Sequence, residues 1–101
     1  MNIAFFEIKD WEKEILKKKL KNHTLSFYEG ILDDSIISKL SKVEILSVFI
    51  YSKISSSILA KMPKLKLIVT RSTGYDHIDL DVCKSKKITV CNVPYYGENT
   101  V

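Results

Sequence analysis

Apolar residues fall along the chain in five short clusters, separated by segments that are either helically periodic or polar. Ile3 to Ile8 is an apolar run bounded by Asp10, the length of a buried strand rather than of a helix. The period then changes. Trp11, Ile15, Leu16 and Leu20 recur at helical spacing, with Glu12 and Glu14 in the first turn and Lys17, Lys18 and Lys19 in the last, which places Asp10 as N-cap. Thr24 to Glu29 reads as a second strand and Gly30 as a turn. A short helix capped by Asp33 or Asp34 follows, burying Ile36, Ile37 and Leu40. Val43 to Tyr51 is almost wholly apolar and β-branched or aromatic, which suits a central strand covered on both faces. Ser55 to Ser57 can cap a helix through Ile58, Leu59 and Met62, and Pro63 stops it. Leu65 to Thr70 is another buried strand. Asp79 opens a helix through Leu80, Val82 and Cys83 that ends in Lys84, Lys86 and Lys87, and Ile88 to Val93 is a fifth strand ended by Pro94.

Strand and helix therefore alternate throughout. Buried strands joined by helices imply a parallel sheet with right-handed crossovers and helices on both faces. The simplest arrangement is an α/β, flavodoxin-like, doubly wound sheet of five strands in the order 2-1-3-4-5. A length of 101 residues fits one such domain with a single core, and the chain contains no internal repeat, low-complexity tract or linker.

Composition narrows the chemistry. The three glycines, Gly30, Gly74 and Gly97, are too far apart to form Gly-x-Gly-x-x-Gly or a Gly-x-x-x-x-Gly-Lys phosphate loop. Sixteen basic residues outnumber twelve acidic ones, but fifteen of the sixteen are lysines spread from Lys9 to Lys87. The clusters at Lys17 to Lys21 and Lys84 to Lys87 fall at helix ends and read as solvated faces that complement helix dipoles, not as a nucleic-acid surface. Cys83 and Cys91, without secretory context, are expected to be reduced and buried. The N-terminus has no basic leader and its apolar run breaks at Glu7, which argues against a signal peptide or a membrane span. A cytoplasmic protein is expected.

Ligands of open parallel sheets bind beyond the carboxyl ends of the strands, where loops and helix N-termini converge. Here that selects Glu7 to Asp10, Tyr51 to Lys53, Arg71 to Asp76 and Pro94 to Gly97. The third segment carries the chain's only arginine, two hydroxyls and a glycine. Gly74 allows close backbone approach, so the N–H groups of Thr73 and Gly74 can face a carboxylate or phosphate. The same residues equally describe an ordinary strand-to-helix loop, with Gly74 left-handed and Asp76 or Asp79 capping the helix. His77, at a helix start and without partners at metal-ligand spacing, reads as structural. Tyr95 and Tyr96, and likewise Tyr51, can present a hydroxyl to a small polar ligand or simply pack their loops.

At these residues the chain resembles a known family. Thr70-Arg-Ser-Thr-Gly-Tyr-Asp-His-Ile-Asp79, followed by Asn92-Val-Pro-Tyr-Tyr-Gly-Glu-Asn-Thr-Val101, is similar to the D-isomer-specific 2-hydroxyacid dehydrogenases, especially the D-lactate dehydrogenase-like branch. The likeness extends through Phe49-Ile-Tyr-Ser-Lys53 and Met62-Pro-Lys-Leu-Lys66 and covers about the last sixty residues, while the first forty match only in pattern. It implies the N-terminal part of a flavodoxin-like substrate domain, interrupted in the family by a dinucleotide-binding domain. It also implies a reaction in which hydride passes between NADH and the 2-carbon of a small 2-keto acid such as pyruvate, giving a D-2-hydroxy acid such as D-lactate. By resemblance, Thr73 and Gly74 offer backbone N–H groups to the substrate carboxylate, Tyr96 contacts the substrate, and Tyr51 walls its pocket.

The family's catalytic arginine, glutamate and histidine, and its glycine-rich NAD loop, have no counterpart in these residues. The chain is thus expected to be a fragment, inactive alone, whose whole enzyme is a homodimer binding neither membrane nor nucleic acid. Two alternatives share the fold. A small-acid-binding module would bind without chemistry. A free-standing signalling receiver needs an acidic pair after strand one and a phosphate-accepting aspartate after strand three. Glu7 and Asp10 imitate the pair, but Tyr51-Ser52-Lys53 supplies no carboxylate.

Overall fold

A computed structural model describes residues 1–92. Tyr96, Tyr95 and the expected end of the fifth strand at Val93 and Pro94 lie outside the described residues. The strands are β1 (Asn2–Phe5), β2 (Thr24–Phe27), β3 (Ile45–Val48), β4 (Leu67–Thr70) and β5 (Thr89–Cys91). The helices are α1 (Asp10–Lys19), α2 (Ser56–Ala60) and α3 (Leu80–Ser85), with a 3-10 turn at Ile37–Leu40. All neighbouring strands pair in parallel, in the order β2-β1-β3-β4-β5. This is the doubly wound α/β arrangement anticipated from the alternation of elements.

Register explains why the loops converge. Phe27, Phe5, Ser47, Val69 and Cys91 form one row across the sheet, so β1, β3 and β4 reach their carboxyl ends almost level. The chain winds outward from β1 to β2 and then back across to β3, β4 and β5. The topological switch point lies between β1 and β3, where the segments after the two strands part to opposite faces.

Side chains alternate along each strand and divide the core in two. Ala4, Leu46, Val48 and Ile68 point to one face and are fully buried beneath α2, α3 and the segment containing Leu32 and Leu40. On the opposite face Ile3 and Phe5 are buried, but they pack with partly exposed Leu16, Leu20, Phe27 and Ile45. Here the structure departs from the expected burial. No residue of α1 is buried, and Trp11 and Ile15, read as part of its apolar stripe, are 64% and 45% exposed. Trp11, Ile15 and Leu16 instead border an open depression of about 290 Å³ with Phe5, Ile8 and Val69, so α1 covers this face only in part.

Local chemistry moves several boundaries. The N-cap of α1 is Lys9 rather than Asp10, because the Glu12 carboxylate accepts the Lys9 N–H at 3.0 Å and sets the first turn one residue earlier. Asp33 does not cap an α-helix. Its carboxylate accepts both the N–H and the hydroxyl of Ser35, and this local turn leaves only 3-10 geometry at Ile37–Leu40. Asp79 does cap α3, accepting from the Val82 N–H at 3.2 Å. Cys83 is buried as expected, whereas Cys91, which faces outward on edge strand β5, is exposed; both are free thiols. Among the described residues no helix is long and apolar enough to cross a membrane.

Candidate functional site

The carboxyl end of the sheet is tied together by two side chains. Arg71, the first residue after β4, turns inward: its guanidinium donates to Ser47 Oγ at 2.7 Å, to the Glu7 carbonyl at 2.9 Å and to the Phe6 carbonyl. Burial pulls its pKa below the usual guanidinium value, opposed by the Glu12 and Glu7 carboxylates. Arg71 therefore braces β4 against β1 and β3, and it also borders an open depression of about 320 Å³ with Glu7, Trp11, Glu12 and Phe49.

Glu7 makes the complementary clamp. Its carboxylate accepts the N–H of Phe49 at 2.8 Å, the N–H of Tyr51 at 3.1 Å and the Ser52 hydroxyl at 2.7 Å. Ser52, fully buried, in turn accepts the Leu32 N–H at 3.0 Å. To reach these donors Glu7 adopts a φ of 57°, a left-handed conformation costly for a residue with a Cβ. The sequence marks Glu7 only as a carboxylate at a strand end. Its clamp role was missed there because its partners lie more than forty residues away. A carboxylate engaged by three donors of the Phe49–Ser52 segment is also unsuited to the acidic pair of a signalling receiver.

The loop from Arg71 to His77 is ordered by its own side chains. Thr70 Oγ1 lies 2.6 Å from Ser72 Oγ and 2.9 Å from His77 Nε2, and the Ser72 hydroxyl donates to the Gly74 carbonyl at 2.7 Å. Asn92 Nδ2 donates to the Thr73 carbonyl at 2.7 Å. In a trans peptide the C=O and the following N–H point in opposite directions, and the chain has no cis bond among its described residues. Drawing in the carbonyls of Thr73 and Gly74 therefore turns the N–H groups of Gly74 and Tyr75 outward. Among the described residues, no backbone N–H from Ser72 to His77 has a backbone or side-chain acceptor, and Thr73 to Asp76 are exposed.

The left-handed Gly74 of the ordinary-loop alternative is not found: among the described residues the non-glycine positions with positive φ are Glu7 and Lys87, and Gly74 is not left-handed. A Cβ at Gly74 would meet nothing within 4 Å, so the chain's own packing does not require glycine there. Gly74 instead borders an open depression of about 350 Å³ shared with Ile50, Lys53, Asp76 and His77. Tyr51, 67% exposed and edge-on to Phe49 at 6.0 Å, is held at the switch point by Glu7 but makes no polar contact with Thr73 or Gly74. Among the described residues, no group of three or more His, Cys, Asp or Glu side chains is placed to hold a metal.

Burial holds the His77 pKa below the ordinary imidazole value, against the opposing pull of Glu7 and Asp76. The unfolded chain thus binds a proton at His77 more readily than the folded one. The resulting stability is fully present above pH ~6.5 and is lost as pH falls through the lower folded-state pKa. Urea midpoints of the chain are expected to fall over that interval, and His77→Gln is expected to flatten the part of the curve due to this ring. Superimposable pH profiles for the two proteins would remove His77 as a source of the dependence.

With this geometry in place, likenesses to other proteins become interpretable. Residues 3–101 match a family model described as D-isomer specific 2-hydroxyacid dehydrogenase, catalytic domain. The 2-hydroxyacid dehydrogenase homolog 1 of Schizosaccharomyces pombe is 32% identical, aligned over 100% of this chain and 32% of its own length. The D-lactate dehydrogenase of Staphylococcus aureus is 27% identical over 98% of this chain and 31% of its own length. Among solved structures, D-lactate dehydrogenase from Aquifex aeolicus, complexed with NAD and lactic acid, superimposes with a TM-score of 0.88 at 41% identity, over 94% of this chain and 28% of that one. The chain thus spans about a third of the length of the curated relatives it matches.

Proposed function

The chain belongs to the D-isomer specific 2-hydroxyacid dehydrogenases, matching their catalytic domain, and from that premise we propose that it is the carboxylate-holding segment of an NAD-dependent D-2-hydroxyacid dehydrogenase of the D-lactate type. The observation that carries this is the Thr73–Tyr75 loop, whose carbonyls are tied inward and whose N–H groups have no acceptor among the described residues. The unpartnered N–H groups of this exposed loop, those of Gly74 and Tyr75 turned outward, suit a small carboxylate at the carboxyl end of a parallel sheet, and Lys53 across the depression adds a positive charge. Asp76 on the same rim disfavours more highly charged anions such as phosphates.

Within this reading Thr73 and Gly74 bind the carboxylate of pyruvate or D-lactate through their N–H groups, and Tyr75 contributes a third. Tyr51, whose backbone N–H is held by Glu7 and which lies outside the lining of the Gly74 depression, is assigned a wall of the wider substrate pocket, and Tyr96 contacts the substrate from the segment after β5. Residues 1–101 form the substrate-binding segment of a whole protein that is homodimeric and cytoplasmic. These residues do not fit a dinucleotide. The described glycines, Gly30 and Gly74, are isolated, and the helices after β3 and β4 have five and six residues. We assign NAD and the acid–base step to residues outside this chain and derive no step through the cofactor. What these residues contribute is orientation, which removes translational and rotational freedom from the keto acid before reaction.

Titrating the isotopically labelled chain with pyruvate tests this. The Thr73, Gly74 and Tyr75 amides are expected to shift and saturate at roughly millimolar ligand, while lactamide, which lacks the carboxylate, leaves them unmoved. The chain mixed with pyruvate and NADH is expected to show no turnover. Equal responses to pyruvate and lactamide, or none to either, would remove the carboxylate site.

A further inference from the structure

The geometry points to His77 as a positioning residue that sets the direction of the outward Tyr75 N–H through a hydrogen-bonded relay of Thr70 and Ser72. The proposal deepens the carboxylate reading of the same loop and rests on it for its purpose, though not for its structural content.

The relay has only one possible polarity. Ser72 has one hydroxyl proton, and that proton is given to the Gly74 carbonyl at 2.7 Å. In its 2.6 Å contact with Thr70, Ser72 must therefore accept, and Thr70 must donate. Thr70's single proton is then spent, so in the 2.9 Å contact with His77 the ring nitrogen Nε2 must carry the hydrogen and donate it. Neutral His77 is thereby locked as the Nε2–H tautomer. Donation runs from His77 to Thr70, to Ser72, to the Gly74 carbonyl.

Burial gives this chain its force. Thr70 is fully buried and Ser72 is 4% exposed, so neither hydroxyl has ready access to water as a substitute partner. A hydroxyl left without a partner there would cost more than the bond itself is worth. The Gly74 carbonyl is consequently held on the inner side, and the peptide plane turns the Tyr75 N–H to the outside. Asn92, from the segment after β5, does the same for the Thr73 carbonyl and the Gly74 N–H. Two successive N–H groups are thus fixed in direction before any ligand arrives, a preorganisation that lowers the cost of binding. His77 itself also borders the depression beside Gly74.

The experiment uses the whole 101-residue chain and two readouts. Without ligand, nitrogen chemical shifts of the His77 ring are expected to report the Nε2–H tautomer. The amide order parameter of Tyr75 is expected to drop from about 0.85 to below about 0.6 in Ser72→Ala, Thr70→Val and His77→Leu. His77→Gln, whose Nε2 can donate in the same place, is expected to retain the wild-type values. Strand amides of β4 serve as the control for folding, and Ser72→Ala, a loop substitution, keeps the test valid should Thr70→Val not fold. An Nδ1–H tautomer, or unchanged loop order in Ser72→Ala and His77→Leu, overturns the proposal whether or not pyruvate binds. With pyruvate, the relay-breaking variants are expected to bind roughly five- to tenfold more weakly than wild type, with His77→Gln near wild type. If wild type shows no pyruvate response while the ligand-free results hold, the carboxylate reading fails and the relay stands.

Discussion

Exchanging Glu7 for glutamine is expected to destabilise the chain by about 2–4 kcal/mol, a large share of the stability of a domain this size. The substitution is nearly isosteric, so packing is preserved and the effect isolates hydrogen bonding. Glu7 accepts from three donors, two of them through Oε2. An amide must place an NH₂ where one of those carboxylate oxygens stood, setting donor against donor at Phe49 and Ser52 or at Tyr51. The Ser52 hydroxyl is fully buried and cannot turn to water. Hydrogen bonds to a charged acceptor are also individually stronger than neutral ones. Two companions separate the clamp from its backbone. Glu7→Ala loses the carboxylate and keeps the left-handed φ of 57°, whereas Glu7→Gly loses the carboxylate and relaxes that φ. The glycine variant should therefore be more stable than the alanine variant by about 0.5–1 kcal/mol. Urea unfolding of all four proteins measures both differences. A Glu7→Gln midpoint indistinguishable from wild type would mean that the three contacts contribute nothing net.

The second large effect sets one face of the sheet against the other with the same chemical change. Leu46→Ala is expected to cost about 3–5 kcal/mol, and Leu67→Ala only about 1–2 kcal/mol. Leu46 is fully buried in the larger cluster, between β1 and β4, where truncation leaves a cavity that the packed helices cannot collapse to fill. Leu67 lies on the neighbouring strand β4, opposite Ile45, and is only partly buried. It lies on the less completely covered face, with partly exposed Ile45, so less apolar surface is lost from burial there. Equal losses in chemical denaturation would show that the second face is as well covered in solution as the first.

Much of the fold was legible because it rests on short-range pattern. Alternating apolar runs and capped polar segments predicted every strand and the helices around Leu16, Leu59 and Cys83. Asp79 was legible as a cap because capping is settled within four residues. The misses have equally physical causes. Asp33 bonds to Ser35, a competition inside one turn that leaves a 3-10 turn where a helix was expected. The apolar stripe of α1 predicts burial correctly only if something covers it, and periodicity carries no information on how wide a sheet one helix must cover.

The candidate site divides in the same way. Thr73 and Gly74 could be picked from residue type and from their place after a buried strand. That the N–H groups of Gly74 and Tyr75 face outward could not, because it depends on where Ser72, Asn92 and His77 send their hydrogen bonds. The residue pattern alone decided the strand-helix alternation, the sheet order it favours and the family motifs, since each depends on neighbours a few positions apart or on chain connectivity. Tertiary structure decided that Arg71 braces the strand ends and that Glu7 holds the Tyr51 loop. It also gave His77 a single tautomer. Each of those outcomes is a choice among hydrogen-bond partners, and a partner exists only once strands distant in sequence lie side by side.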